Sequence, residues 1–149
     1  DDPRCRALKV RLRDALDAAY EAGYRHFICG MANGCDLYFF DAARYLRLSH
    51  PEVTIEAAIP FSGQADRWRP ELRARYDYDL RQCDYQTLVQ ETYTPDCMMR
   101  RNRYMVDASR ILIAAFDGRP GGTARTLEYA ALRKLEIIHL PIDRAPVEL

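Results

Sequence analysis

Residues 29–48 read CGMANGCDLYFFDAARYLRL, and this stretch decides the fold class. A short apolar segment ends at Gly30, a second glycine follows at Gly34, and the apolar residues beyond it recur at helical spacing. A strand, a glycine-containing turn and a helix in this order begin a parallel βαβ unit. A bare turn needs one glycine at most, so the second indicates that the backbone comes close to another group.

The same alternation continues along the whole chain. It predicts a parallel sheet with helices on both faces, in one domain spanning residues 1–149. The segment RILIAAFD is almost entirely apolar, as a parallel strand buried on both faces should be. In such sheets, ligands bind beyond the carboxyl ends of the strands, at a topological switch point. The predicted helices cover about 8–22, 39–49, 68–83, 97–107 and 122–135, and the predicted strands cover about 24–30, 53–61, 84–90, 110–117 and 136–143.

Composition excludes several classes of protein. Hydrophobic residues make up 48% and charged residues 30%, which is typical of a globular domain rather than a disordered one. The 22 basic and 22 acidic residues balance, so nucleic acid is an improbable partner, and no apolar run is long enough to span a membrane. Five cysteines without a CxxC pair and three scattered histidines indicate no metal site, and they predict free thiols in a cytoplasmic protein.

The loop from Gly30 to Asp36 is the first candidate site. Its glycines permit a tight turn, and the helix that follows offers backbone amides to an anion. Asp36 either caps this helix or binds a ligand hydroxyl. The alternative is an ordinary strand-to-helix turn with a capping aspartate.

A second glycine-rich turn follows the most apolar strand. In DGRPGGTARTLEYA, residues 117–130, Gly121 and Gly122 stand at the start of a helix and Thr123 adds a hydroxyl. A diphosphate or sugar phosphate fits such a turn through amide hydrogen bonds and the helix dipole. Glu128 lies nearly two turns into the helix and faces either the ligand or solvent.

Further polar candidates lie between the two turns. Arg101 either reaches a phosphate or belongs to a solvated arginine face, and Asn102 is either a core amide or a site residue. Gln64 and Trp68 follow the second strand; Trp68 either packs in the core or stacks on a base. No nucleophile–base pair, GxGxxG motif or Walker A motif occurs, which disfavours hydride transfer and P-loop phosphoryl transfer.

The motifs GMANGCD, IPFSGQADRW, RRNRYMVDASRILIAAFDG and GGT, in this order over about residues 7–143, resemble the bacterial YpsA-like family of the SLOG superfamily. That superfamily also includes DprA and the LOG phosphoribohydrolases. The resemblance implies a Rossmann-like three-layer α/β/α sandwich with a mainly parallel sheet and a pocket for a nucleotide-derived ligand. The positions that match the family's motifs are Gly30, Gly34, Asp36, Gln64, Trp68, Arg101, Asn102, Gly121, Gly122 and Thr123.

Two departures from the family accompany this resemblance. Family members usually begin with a further strand ending in a Gly-His-Arg type loop that lines the pocket, and nothing before Cys5 supplies it. LOG enzymes carry PGGxGTxxE, in which the glutamate serves N-glycosidic cleavage. Here PGGTARTLE keeps Glu128 at the matching offset, but Ala124 and Arg125 replace the Gly-Thr pair.

Three functions follow from these observations. The first is a sensor or regulatory domain that binds ADP-ribose, NAD or a nucleoside phosphate, with no other cofactor implied. The second is a LOG-like hydrolase of nucleoside monophosphates in which Glu128 is catalytic. The third is a DprA-like binder of single-stranded nucleic acid, which the zero net charge disfavours. Whether turnover occurs stays open at this stage, as does assembly into a homo-oligomer.

Overall fold

The computed structural model describes residues 2–142, in which five helices and five strands alternate. This confirms the predicted α/β class; Asp143, at the end of the predicted last strand, lies outside the described residues. The last helix ends three residues earlier than predicted because Lys134 takes a left-handed φ of 61°. The elements are α1 (Pro3–Glu21), β1 (His26–Cys29), α2 (Cys35–Ser49), β2 (Thr54–Ile59), α3 (Pro70–Gln82), β3 (Tyr85–Leu88), α4 (Cys97–Asp107), β4 (Ile111–Phe116), α5 (Gly122–Leu132) and β5 (Glu136–Pro141).

All strand pairs in the described residues are parallel. β1, β2 and β3 form one sheet in that order, and β4 pairs with β5 in a second. Ile55 and Ala57 of β2 face the core beneath α1 and α2, whereas Glu56 between them faces Tyr104 of α4. Helices therefore cover both faces of the sheet, which is the arrangement of a Rossmann-like three-layer sandwich.

The main hydrophobic core lies between α1, α2 and the sheet. α1 contributes a helical stripe of buried residues that includes Leu12 and Leu16. Phe40 of α2 and Ile55 of β2 are completely buried within the same cluster. No helix in residues 2–142 is long and apolar enough to cross a membrane.

A polar network on the opposite face joins α4 to the three-stranded sheet. The buried carboxylate of Glu56 accepts hydrogen bonds from the Tyr104 hydroxyl and from Thr87 Oγ1, the latter at 2.9 Å. Its other oxygen lies 2.8 Å from His26 Nε2. Burial alone raises the pKa of Glu56, but these hydrogen bonds together outweigh it and lower the pKa.

An open cleft of about 1100 Å³ lies between β1 and β4. The backbone groups of successive residues in a strand point to opposite sides. Thr54 donates to the carbonyl of Arg25, just before β1, and Glu136 donates to the carbonyl of Arg110, just before β4. This places the amides of Ile28 and Ile113 on the cleft side, where no described strand pairs with them. The prediction that β4 is buried on both faces is wrong, because the strand lines the open cleft and all its residues except Ala114 stay partly exposed.

The carboxyl ends of β1 and β4 lie at the same edge of the molecule. Arg101 of α4 reaches the Gly30 carbonyl just after β1, and its neighbour Asn102 reaches Thr126 in the second turn of α5, which follows β4. Chain order reverses between these strands, so the cleft occupies the topological switch point.

Candidate functional site

The two glycines of the first loop have different structural reasons. Gly30 is buried, and a Cβ atom there would lie 2.8 Å from Arg101 Nη1 and 2.9 Å from Asp36 Oδ2. Gly34 has open space around it but adopts a φ of 96°, a backbone conformation that residues with a Cβ atom rarely adopt. The groups that come close to the Gly30 backbone are thus side chains of the protein itself.

Arg101 anchors the first loop, residues 30–36, through hydrogen bonds to backbone carbonyls. Its side chain is almost completely buried, and Nη1 donates to the Gly30 carbonyl at 2.6 Å and to the Ala58 carbonyl at 3.3 Å. Nε donates to Asn102 Oδ1 at 2.9 Å. Gly30 directly follows β1 and Ala58 is the second-last residue of β2, so Arg101 fixes the carboxyl ends of both strands. The guanidinium borders the cleft but is engaged with backbone oxygens.

Asp36 also stabilises the first loop, through a hydrogen bond from a backbone amide. It lies in the first turn of α2, and its Oδ2 accepts from the Ala32 amide at 3.1 Å, so it does not cap the helix, whose N-cap is Gly34. Burial raises the pKa of Asp36, while the charge of Arg101 and the Ala32 amide act against this rise. The carboxyl group borders the cleft beside Gly30.

Gln64 and Trp68 support the loop without facing the cleft. Gln64 is buried, and its Nε2 donates to the Gly30 carbonyl at 3.4 Å and to the Tyr76 hydroxyl at 3.3 Å. The Trp68 ring meets Tyr76 edge-on with 5.2 Å between ring centroids and packs against the core. Neither residue lines the cleft in the described structure.

The second glycine turn opens α5 at the same edge. Gly121 takes a φ of 148°, and Gly121, Gly122 and Thr123 are exposed at the cleft. Asn102 Nδ2 donates to Thr126 Oγ1 at 3.0 Å, and this hydroxyl donates to the Gly122 carbonyl at 2.8 Å. Asn102 therefore connects α4 to the start of α5.

Both helices that begin at the cleft lack a side-chain cap at the N-terminus. α2 starts after Gly34 and α5 after Gly121, and neither N-cap has a side-chain hydrogen bond. Within residues 2–142, the backbone amides of Gly122 and Thr123 at the start of α5 have no acceptor, whereas the Cys35 amide at the start of α2 donates to the sulfur of its own side chain. Such amides carry partial positive charge and are suited to an anion.

The predicted site residues therefore divide into two groups. Glu128 is exposed on α5 and is not among the residues that line the cleft, a position that gives no support to a catalytic role there. The predicted residues that line the cleft are Gly30, Asp36, Arg101, Asn102, Gly121, Gly122 and Thr123, and those that do not are Gly34, Gln64, Trp68 and Glu128.

Sequence reasoning missed two members of this arrangement. The Tyr76 hydroxyl accepts a hydrogen bond from Gln64, whose side chain also donates to the Gly30 carbonyl. In the sequence, Tyr76 stands only in an apolar pattern at helical spacing, which marks it as a core residue. Thr126 connects Asn102 to Gly122, and its position four residues after Gly122 is the one local signal of that bond.

Comparison with known proteins gives consistent matches over nearly the whole chain. The YpsA family model, described as the YspA SLOG family, matches residues 1–143. The chain is 25% identical over 139 residues to a UPF0398 protein of Bacillus thuringiensis (strain Al Hakam), a match that spans 92% of this chain and 76% of the relative. UPF0398 protein BCAH187_A1726 of Bacillus cereus (strain AH187) matches with the same identity and the same coverage of both chains.

Proposed function

Because this chain belongs to the YspA SLOG family, we propose that its cleft binds a nucleotide or a nucleotide-derived ligand through the ligand's phosphate groups. The ligand is of the ADP-ribose, NAD or nucleoside phosphate type, and the domain acts as a cytoplasmic sensor or regulator. The supporting observation is that α2 and α5, two helices with uncapped glycine N-termini, both begin at one cleft.

The charges and size of the cleft agree with this proposal. Among the described residues, four arginines line it, including Arg101 and Arg119, against two aspartates, Asp36 and Asp117, and this excess of positive charge favours an anion. The volume of about 1100 Å³ is slightly above the usual range for small-molecule sites, which leaves room for a ligand as large as a dinucleotide. Thr123 adds a hydroxyl donor beside the amides of α5.

A thermal-shift series with ADP-ribose, NAD, AMP and ATP, with free ribose as the control, tests the proposal. A ligand at one hundred times its Kd adds about 2.7 kcal/mol to the free energy of unfolding. For a domain of this length, that gain raises Tm by about 5–10 °C.

The matched variants are Gly122→Leu, which places bulk at the cleft, and Ala131→Leu, which adds comparable bulk on an exposed surface of the same helix. We expect Gly122→Leu to abolish the shift and Ala131→Leu to retain it. The absence of a shift with every phosphorylated ligand would refute the proposal.

A further inference from the structure

Buried Arg101 and partly buried Asp36 together set the charge of the site beside Gly30. The hydrogen-bond partners of the Arg101 guanidinium are all neutral oxygens: the carbonyls of Gly30 and Ala58 and the side-chain oxygens of Asn102 and Gln64. Asp36 is the nearby group of opposite charge. The summed charge of Arg101 and Asp36 therefore depends on the protonation state of Asp36. It is zero when Asp36 is ionised and positive when Asp36 is protonated.

Other groups near Asp36 do not offset this charge. Cys29 of β1 donates its thiol to the Asp36 carbonyl at 3.0 Å, and burial raises the pKa of this thiol well above its usual value. Burial likewise raises the pKa of Cys35, the preceding residue in α2, and of Tyr76 in α3. All three are neutral near neutral pH, so Arg101 on α4 is the charged group that faces Asp36 in the described residues.

We propose that the cleft takes up a proton on Asp36 when it binds a phosphate-bearing ligand, so that the affinity rises as the pH falls. This inference rests on the proposed function. An anion at the amides of α2 lies on the same loop as Asp36, and two negative charges so close in a partly buried site disfavour each other. Protonation removes that repulsion and leaves the positive charge of Arg101 for the ligand.

The positions of Asp36 and Arg101 and the environment of the Asp36 carboxyl group give the same direction for this coupling. Asp36 Oδ2 and Arg101 Nη1 both lie within 3 Å of the position that a Cβ of Gly30 would occupy, and thus next to the first loop. Burial already raises the pKa of Asp36 before any ligand binds, and a nearby anion raises it further. Proton uptake on binding follows because the bound state holds the proton more tightly than the free state.

Isothermal titration with ADP-ribose between about pH 5 and about pH 8 tests this inference. Each phosphorus of ADP-ribose carries a single acidic group, so the ligand keeps its charge over this range. We expect the affinity to rise by up to about tenfold for each unit by which the pH falls, within the window between the Asp36 pKa values of the ligand-bound and ligand-free protein. Titrations in two buffers of different ionisation enthalpy should show uptake of up to about one proton.

The test variant is Asp36→Asn, which removes the charge but keeps an oxygen for the Ala32 amide. Its affinity should be at least that of the unmodified protein at neutral pH and should not vary with pH. Asp14→Asn is the charge-matched control, because Asp14 is exposed on α1 and does not line the cleft. This control should keep the pH dependence.

The two proposals fail in distinguishable ways. ADP-ribose binding whose pH dependence is the same in the Asp36→Asn variant would overturn proton coupling and leave the proposed function standing. So would a pH-independent affinity in the unmodified protein. Absence of binding to both proteins would overturn the proposed function and this inference together.

Discussion

Replacement of Gly30 by alanine tests whether this glycine is required by packing within the protein. The new Cβ would lie 2.8 Å from Arg101 Nη1, 2.9 Å from Arg101 Cζ and 2.9 Å from Asp36 Oδ2. Because both side chains are held by hydrogen bonds to the same loop, neither can withdraw without breaking a contact. The substitution therefore either compresses the site or displaces Arg101.

The magnitude follows from these two routes. Overpacking of a buried site costs about 1–3 kcal/mol. The loss of a hydrogen bond from a charged group, here the 2.6 Å bond from Arg101 to the Gly30 carbonyl, costs about 1.5–3 kcal/mol. We expect Gly30→Ala to lower the free energy of unfolding by about 2–3 kcal/mol. This leaves a domain of ordinary stability folded.

Urea unfolding at 25 °C, followed by circular dichroism and by the fluorescence of the single tryptophan, Trp68, measures this change. With a urea dependence of about 2 kcal/mol per molar, the midpoint should fall by roughly 1–1.5 M. Gly122→Ala is the matched control: its Cβ would meet nothing within 4 Å, so alanine in the helix should be neutral or stabilising by up to about 1 kcal/mol. Equal midpoints for the two variants would refute the packing argument.

Two further predictions concern the sheet. Tyr104→Phe removes one donor from the Glu56 carboxylate and should cost about 1–2 kcal/mol at neutral pH. Because the folded-state pKa of Glu56 is lowered, its contribution is present above the unfolded pKa and is lost as pH falls through the folded value. The difference between the variant and the unmodified protein should thus shrink in urea titrations at acid pH, and a constant difference would contradict the assignment. In hydrogen exchange followed by NMR, the amides of Ile28 and Ile113 should exchange faster than the amide of Ala57, because Ala57 lies in β2, which is paired on both sides by β1 and β3. Equal protection of the three amides would mean that the strand edges along the cleft are not open.

Sequence periodicity was sufficient for the order and type of the elements, and the reason is local. Apolar residues at helical spacing and short apolar strands bounded by glycine or proline need only near neighbours to be interpreted. α4, for example, begins and ends at the residues that its pattern predicts, Cys97 and Asp107. The end of α5 was less accurate, because it depends on the left-handed conformation of Lys134, a residue type with no marked preference for it.

The roles of the site residues depend on distances across the fold. Gly30 and Arg101 are 71 residues apart in the chain, yet the guanidinium takes the space that a Cβ at Gly30 would need. A sequence pattern marks Gly30 as unusual and Arg101 as a candidate for phosphate, but it contains no information on their contact. The sequence by itself determined the elements and the glycine turns between them. Only the tertiary structure decided that Arg101 and Asp36 hold the loop and that β4 borders an open cleft, because long-range packing and burial set both.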